Sequence, residues 1–460
     1  MMSQFQWIPS FNPIRKEDLL QSVLETSEWI NQYKRDKENT SHWDVWPEHK
    51  LDEDPLLLRD TSLYGGSAGI SLFYLRLYEA TKDSKYLEFA EAGINYCISQ
   101  YKGINDFKSN QPYLTGAFIG FFNGPAGGAY VSNLLYKINK KESYKNFAKQ
   151  VGLDLIAAAN ESEQGLTWYG FYGILGEGGL ILFLLDLYEG YSDKVYLEAA
   201  IKAGRYILSK EEKSPWGGSR WYVLDTETFP TIGKAGGYFP GFEYGAAGCG
   251  YILSEIYKHT KLPEFLEASE NAATYILNIA DYSEDKSSAL VRYNDTYLTD
   301  LYYLGVCQGP IGTSRLFYSL YKNTKKEKYK KFILQLTNGL IESGAPAIHS
   351  AGYWRTNCYC CGGPGMLEHF INIYALTKDK KYLEKAKESA KTILGDSTYL
   401  NSKRVWYTSW NRHEPERSDA YIGLYQGSAG CASALLSLYQ YLDKETNVST
   451  YLEDAYKDLY

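Results

Sequence analysis

Several features that would assign a function quickly are missing from this sequence. No uninterrupted apolar run approaches the ~20 residues that a membrane-spanning helix needs, and residues 1–13 lack the charged start and apolar core of a secretory signal. The formal net charge is −7, and no block or stripe of lysine and arginine interrupts it, which argues against nucleic acid as a partner. Phosphate loops, nucleophile elbows and dinucleotide-binding motifs are also absent. We therefore expect a soluble, cytoplasmic protein with no integral membrane segment.

The composition is that of a globular protein with a large core. Hydrophobic residues make up 44% of the 460 residues, and 44 of the residues are tyrosine, which argues against disorder. This length fits two or three ordinary domains or one large domain built from repeats. The choice between them depends on internal patterns.

One short turn, Gly-x-x-Gly, recurs seven times along the chain. Subtracting successive first-glycine positions gives spacings of 58, 52, 69, 64, 53 and 65 residues, and such a period is typical of repeat architectures. The turns lie at Gly66–Gly69, Gly124–Gly127, Gly176–Gly179, Gly245–Gly248, Gly309–Gly312, Gly362–Gly365 and Gly427–Gly430.

Each turn leads into an apolar segment and then an amphipathic one. The segment after Gly179, for example, is apolar on nearly every side, which predicts a helix buried all round. The amphipathic segments predict helices with one wet face. We therefore predict an all-α fold, an α/α toroid of seven inner and seven outer helices, whose seven turns meet at one end. Residues 61–460 would form this domain, and residues 1–60 would add an outer helix and a lead-in segment to it.

The seven cysteines cluster in a way that suggests a metal site. Cys307 precedes the fifth turn, while Cys358, Cys360 and Cys361 precede the sixth. In a chain without secretory features, clustered cysteines favour a metal over disulfides, and thiolates favour zinc. Cys307, Cys360 and Cys361 would leave one position open, as in a catalytic zinc site. A closed site that also uses Cys358, or a group of buried thiols without metal, are the alternatives.

The seven turns, together with Cys307-x-Gly-x-x-Gly and Cys360-Cys361-Gly362, resemble the lanthionine synthetase C-like family of lantibiotic cyclases. The resemblance covers nearly the whole chain after about residue 61. The usual family motif is Cys-His-Gly where this chain has Cys-Cys-Gly, and members with Cys-Cys-Gly use three cysteines as zinc ligands. The resemblance therefore implies that Cys307, Cys360 and Cys361 hold Zn²⁺.

Four other positions depart from the family pattern. Tyr244 replaces a histidine before the fourth turn, and Tyr172 replaces an aspartate before the third. Tyr303 and Gln308 replace an arginine and a tyrosine that flank the first zinc cysteine. We consider Tyr244 a candidate proton donor or a residue that fills the cavity, and Tyr172, Tyr303 and Gln308 candidate substrate-binding residues.

Two acidic residues at the turns are further candidates for the cavity. Glu177 lies inside the third turn and Glu243 precedes the fourth. Helix capping explains either of them equally well, because acidic residues suit helix N-termini.

The resemblance implies a zinc-dependent enzyme that adds a peptide cysteine thiol to dehydroalanine or dehydrobutyrine and so forms a thioether ring. Its partners would be a precursor peptide with a leader and a dehydrated core, together with a dehydratase and a transporter. One alternative is a zinc-thiolate glycoside hydrolase on a helical toroid, although we find no clear carboxylate pair of the kind that this chemistry needs. Another is a non-catalytic peptide-binding homologue that retains zinc.

Overall fold

The computed structural model of the chain describes residues 14–47, 60–107, 119–170, 172–222, 237–295, 300–354, 356–409, 416, 418–444 and 451–460. Within these ranges there are fourteen α-helices. Seven follow a Gly-x-x-Gly turn and take even numbers: α2 Ser67–Thr81, α4 Pro125–Asn139, α6 Glu177–Tyr191, α8 Ala246–Thr260, α10 Pro310–Thr324, α12 Gly363–Thr377 and α14 Ser428–Lys444. The others are α1 Lys16–Asn31, α3 Ser84–Gln100, α5 Glu142–Ala158, α7 Lys194–Leu208, α9 Pro263–Ile279, α11 Glu327–Glu342 and α13 Lys380–Gly395.

The Gly-x-x-Gly turns mark the helix starts that the sequence predicts. Every even-numbered helix begins at the residue after the first glycine of its turn. The second glycine is needed for close packing, because a Cβ at Gly248 or Gly312 would lie 2.0 Å from the carbonyl oxygen six residues earlier. Equivalent contacts occur at Gly69 and Gly430. Any larger residue would push the helix away from the segment that precedes the turn.

The two helix classes differ in burial as the sequence predicts. In α6, ten of the first eleven residues are buried, including Glu177 and the apolar run from Leu180 to Leu185. In α13 only one face is buried, from Tyr382 to Leu394 at helical spacing. Burial of a continuous apolar surface of this kind is the main source of stability in a repeat protein.

The described residues fall into two compact units. One unit comprises residues 1–101, 344–450 and 457–460, where α2 packs on α3, α12 on α13, and α1 on α14. Helix α1 is thus the outer partner of α14, and an ion pair of 3.1 Å from Arg404 to Glu25 fixes it.

The other unit comprises residues 102–343 and 451–456. Its helix pairs are α4 with α5, α6 with α7, α8 with α9 and α10 with α11. The C-terminal residues 451–456 pack on α10, where the Tyr456 ring lies 4.4 Å from the Tyr318 ring and its hydroxyl donates to Ser314. An ion pair of 3.6 Å joins Arg315 to Glu453, and both side chains are buried.

Six of the even-numbered helices end in the same way. Each stops at a residue in the left-handed conformation, with φ between 55° and 60°, whose N–H donates to the carbonyl of a tyrosine four residues earlier. Four of these residues are lysines whose ammonium lies over that tyrosine ring, at 5.0 Å for Lys261 and Tyr257. The full set of these C-cap residues is Lys82, Lys140, Ser192, Lys261, Lys325 and Lys378.

Short antiparallel strand pairs follow five of the odd-numbered helices, α1, α5, α7, α9 and α13, and two pairs follow α13. The pairs are β1 Lys34–Lys37 with β2 Thr40–Trp43, β3 Asn160–Ser162 with β4 Gly165–Thr167, β5 Glu212–Lys213 with β6 Ser219–Arg220, β7 Asp281–Tyr282 with β8 Ala289–Leu290, β9 Thr398–Leu400 with β10 Lys403–Val405, and β11 Thr408–Ser409 with β12 Ser418–Asp419. The sequence does not predict them, because strands of two to four residues are too short to show an alternating pattern.

A buried tryptophan ties three of these hairpins to the preceding helix. The indole N–H of Trp168 donates to the Leu155 carbonyl over 2.9 Å, and Trp221 donates to Ile207 over the same distance. Trp406 donates to Ile393 over 2.7 Å. Each bond adds a donor to a carbonyl in a last helical turn, where intrahelical partners are few, and the Ile207 carbonyl also accepts the Lys210 N–H over 3.1 Å. Among the described residues, no helix combines the length and apolarity needed to cross a membrane.

Candidate metal centre

Main-chain hydrogen bonds link successive turns to one another. The N–H of Leu175 donates to the Glu243 carbonyl over 2.9 Å, and the N–H of Glu243 donates to the Cys307 carbonyl over 2.7 Å. In the other unit, Cys360 donates to the Tyr425 carbonyl and Tyr425 donates to the Tyr64 carbonyl. In all four bonds the acceptor lies two residues before the first glycine of a turn. We call this set of bonds the turn rim.

The turn rim fixes the backbone of two candidate ligands. Cys307 is buried and its carbonyl also accepts the N–H of Phe242 over 3.0 Å. Cys360 is buried and is fixed through its own N–H. Cys361 is half-buried, and its sulfur lies 3.6 Å from that of Cys360.

The sulfurs of Cys307, Cys360 and Cys361 all lie within 4.8 Å of one another. Two of these cysteines are buried and one is half-buried. The separations fit a metal site, because four ligands at a zinc–sulfur distance of ~2.3 Å in tetrahedral geometry are ~3.8 Å apart. The chain therefore brings together a group of three thiols that could hold a metal ion.

Cys358 is not a member of this group. Its sulfur instead accepts the Thr356 hydroxyl over 3.3 Å and the Cys361 N–H over 3.4 Å. The Cys358 carbonyl accepts the N–H of Gly362. Cys358 thus stabilises the turn that presents Cys360 and Cys361.

The other three cysteines are buried thiols outside the group. Cys97, Cys249 and Cys431 are buried, and burial raises the pKa of each thiol above its ordinary value. A raised pKa keeps them as neutral thiols that are poor metal ligands and poor nucleophiles.

Tyr244 belongs to a buried aromatic cluster. Its hydroxyl lies 2.9 Å from that of Tyr293, and the Phe239 ring packs edge-on against both rings. Burial raises the pKa of the Tyr244 phenol well above its ordinary value, and Tyr293, Glu243 and Cys307 add to the rise. The phenol is therefore neutral at physiological pH and can donate a proton, but it is a poor base.

The other three substituted positions lie in the same unit. Tyr303 is half-buried, with its ring 4.3 Å from that of Tyr293, and so joins the cluster around Tyr244. Tyr172 packs against Tyr206 of α7 at 6.2 Å, and burial raises the pKa of its phenol. Gln308 is buried.

Tyr293 contacts the candidate proton donor Tyr244 and is not among the residues that the sequence predicts. It follows Tyr244 by 49 residues and lies in a connecting segment rather than at a turn. No local motif marks it, so only the folded chain shows its contact with Tyr244.

Glu177 has a structural role. Its carboxylate is buried and accepts hydrogen bonds from the Thr167 hydroxyl and from the main-chain N–H groups of Trp168, Tyr169 and Gly170. Burial raises the pKa of this carboxyl, and the four hydrogen bonds oppose the rise. Glu177 thus ties the β4 segment to the start of α6. Glu243 is half-buried, and its backbone takes part in the turn rim.

Comparison with known proteins identifies the fold. A family model described as lanthionine synthetase C-like protein matches residues 58–452. Among solved structures, a nisin cyclase superposes with a TM-score of 0.61 at 15% identity, covering 96% of this chain and 98% of the other. The predicted all-α toroid is confirmed by these two matches.

Carbohydrate-active proteins superpose less well. A cellobiose 2-epimerase from Spirochaeta thermophila gives a TM-score of 0.46 at 16% identity, covering 69% of this chain and 84% of the other. An alpha-1,6-mannanase of Salegentibacter gives 0.46 at 12% identity, covering 97% and 100%. The family match spans most of the chain, and the chain belongs to the lanthionine synthetase C-like family.

Proposed function

We propose that this protein is a zinc-dependent cyclase that adds a peptide cysteine thiol to dehydroalanine or dehydrobutyrine to form a thioether ring. The observation that carries the proposal is the group of three thiols, Cys307, Cys360 and Cys361, within 4.8 Å of one another. Membership of the family supports the reaction class. The substrate would be a dehydrated precursor peptide, with a dehydratase and a transporter as further partners.

The donor set fits zinc. Three thiolates are soft ligands that select zinc over oxygen-preferring ions. Because Cys358 bonds within its own turn, the protein supplies three ligands and leaves a position for a substrate sulfur, as catalytic zinc sites do. When bound, zinc would lower the pKa of a coordinated thiol and present it as a thiolate at neutral pH.

Tyr244 would supply the proton that the α-carbon of the acceptor residue needs after addition. Its phenol is held by Tyr293 over 2.9 Å, which orients the hydroxyl. Because the pKa of Tyr244 is raised, the phenol keeps its proton until a stronger base, such as the substrate enolate, takes it. Tyr303, which packs on Tyr293, and Tyr172 would line the space for the peptide.

One carboxylate that a glycoside hydrolase could use is already engaged within the fold. That chemistry uses two carboxyl groups that flank the sugar bond, and Glu177 is already engaged by four donors from its own chain. Glu177 is therefore a poor candidate for either carboxyl group of that reaction.

The first test is zinc content. We expect about one zinc per chain in the purified protein and a loss of most of it in Cys307→Ala. Cys249→Ala is the matched control, because Cys249 is equally buried but lies outside the group. Equal zinc content in the two variants would contradict the proposed ligands.

The second test is ring formation. A synthetic peptide that carries one dehydroalanine and one cysteine should lose its free thiol without a change in mass. Cys307→Ala should abolish this loss, whereas Cys249→Ala should not. Zinc-loaded protein that leaves the thiol free with every such peptide would point to the non-catalytic homologue.

A further inference from the structure

The amide of Gln308 is buried without a hydrogen-bond partner. The residue is 2% exposed, and within the described ranges neither Oε1 nor Nε2 finds a partner, although both atoms are shielded from solvent. Buried polar groups are nearly always paired, and an unpaired one calls for an explanation.

The side chain of Gln308 lies against a glycine that makes room for it. A Cβ on Gly241 would fall 1.9 Å from Oε1 of Gln308 and 2.7 Å from its Cδ. We call the space over Gly241 the Gly241 alcove. Any other residue at position 241 would exclude the amide from this place.

Another buried glutamine of the same unit behaves in the usual way. Gln335 is 8% exposed, and its Nε2 donates to the Lys286 carbonyl over 2.7 Å. The two glutamines have similar burial, so burial alone does not explain the unpaired amide of Gln308.

The Gly241 alcove lies beside the candidate metal centre. Gln308 follows Cys307 directly, and the Cys307 carbonyl accepts the N–H groups of Phe242 and Glu243. The same short segment, residues 241–244, carries both the alcove and Tyr244. Gln308 therefore follows a candidate ligand in sequence and lies against the segment that carries the candidate proton donor.

We propose that Gln308 binds substrate, and that its amide turns out of the Gly241 alcove to pair with one peptide group of the bound peptide. Nε2 donates to the peptide carbonyl and Oε1 accepts the peptide N–H. A carboxamide offers one donor side and one acceptor side, which matches a peptide group. This inference rests on the proposed function, since it assumes that the occupant is a peptide.

The proposal has an unusual consequence for stability. In the free protein the unpaired amide is unfavourable, because both atoms have lost water and gained nothing. Replacing it with an apolar side chain of the same length should stabilise the fold while weakening binding. Opposite effects on stability and function are expected where a side chain serves the ligand rather than the fold.

The test compares Gln308→Met with Gln335→Met in zinc-loaded protein. We expect Gln308→Met to raise the midpoint of thermal unfolding, and Gln335→Met to lower it because a carbonyl loses its donor. Methionine keeps the chain length in both, and the zinc content of both variants should equal that of the wild type. A midpoint that falls in Gln308→Met as it does in Gln335→Met would overturn the proposal.

Binding is measured with a dye-labelled octapeptide that carries one dehydroalanine and has serine in place of cysteine, so that no ring can form. We expect about tenfold weaker binding to Gln308→Met by fluorescence anisotropy and unchanged binding to Gln335→Met. Unchanged binding to both variants would overturn the assignment of Gln308 while wild-type ring formation still supports the proposed function. Wild-type protein that binds zinc but consumes no peptide thiol and binds no octapeptide would overturn both.

Discussion

Glu177 offers the sharpest test of how the third repeat is held together. It is the first residue of α6, and its buried carboxylate accepts bonds of 2.6 Å from the N–H groups of Tyr169 and Gly170, and of 3.0 Å from that of Trp168. The Thr167 hydroxyl adds a bond of 2.8 Å. Replacing Glu177 with alanine would leave the N–H groups of Trp168 and Tyr169 without this acceptor, whereas the Gly170 N–H would keep its bond of 3.1 Å to the Thr167 hydroxyl.

The expected magnitude follows from these bonds. A buried donor that loses its partner costs about 1–3 kcal/mol, and two of the three N–H groups lie where the surroundings are only partly buried, so water can replace part of the loss. We therefore expect Glu177→Ala to lower the free energy of unfolding by about 3–5 kcal/mol. Glu177→Gln keeps an acceptor oxygen and loses only the charge, for which we expect about 1–2 kcal/mol.

The assay is urea and thermal unfolding followed by circular dichroism. With an unfolding entropy of about 2.1 cal/mol/K per residue, a chain of 460 residues that unfolds as one unit should show a midpoint about 3–5 °C lower for Glu177→Ala. Glu142→Ala is the matched control, because Glu142 is also the first residue of a helix but is 63% exposed and pairs with Lys145. Its loss should cost less than about 0.5 kcal/mol.

Two results would refute this account of Glu177. Equal effects of Glu177→Ala and Glu142→Ala would show that the four hydrogen bonds do not stabilise the fold. A fully stable Glu177→Gln variant that has lost activity would instead make Glu177 a residue of the reaction.

Four further predictions concern other parts of the molecule. After zinc removal, brief treatment with iodoacetamide should label Cys361 before Cys97, Cys249 and Cys431. Cys361 is half-buried, whereas burial raises the pKa of the other three thiols. Mass spectrometry of peptides measures the order of labelling, and labelling of Cys249 first would contradict the prediction. Ser192→Gly should stabilise the fold by about 1 kcal/mol, because glycine adopts the left-handed conformation at φ 55° without strain. Lys261→Gly should stabilise it by only about half as much, because the variant also loses the contact of the lysine ammonium with the Tyr257 ring. Equal gains in the free energy of unfolding in urea would show that the ring contact does not stabilise the fold. Trp221→Phe should cost about 2 kcal/mol, because the Ile207 carbonyl loses a buried donor at 2.9 Å, and an unchanged urea midpoint would speak against this bond. Burial raises the pKa of Glu270, but hydrogen bonds from Lys326 and Tyr329 outweigh it and lower this pKa below its ordinary 4.5. A lowered folded-state pKa contributes stability above pH 4.5, and this stability is lost as the pH falls through the folded-state pKa. The stability deficit of Glu270→Gln in urea unfolding should therefore be present at pH 7 and shrink as the pH falls below 4.5, and a deficit that does not change with pH would contradict this.

The repeats could be predicted from the sequence because glycine placement and apolar period are local signals. The helix starts at Ser67, Pro310 and Gly363 follow directly from the positions of Gly66, Gly309 and Gly362. The grouping of Cys307 with Cys360 and Cys361 was also predicted, because each of them lies one or two residues before the first glycine of a turn.

Other parts of the site depend on contacts that no local pattern encodes. The role of Cys358 was open from the sequence, because spacing does not say which way a side chain points within a tight turn. The structure turns its sulfur to Thr356 and the Cys361 N–H. Tyr293 and the unpaired amide of Gln308 are likewise visible only after folding, since each is defined by a neighbour about 50 to 70 residues away in sequence.

The turn rim restricts where this protein can change over evolution. Because the backbone of Cys307 is fixed by Glu243, and that of Glu243 carries Leu175 in turn, an insertion inside one turn would displace the neighbouring turns as well. An insertion between an outer helix and the next turn leaves these bonds intact, provided that the chain returns to the same point. The spacing between turns varies from 52 to 69 residues, whereas all seven turns keep the form Gly-x-x-Gly. This agrees with connecting segments that can vary in length and turns that cannot. New substrate preferences are therefore more easily acquired through the connecting segments than through the turns that hold the cysteines.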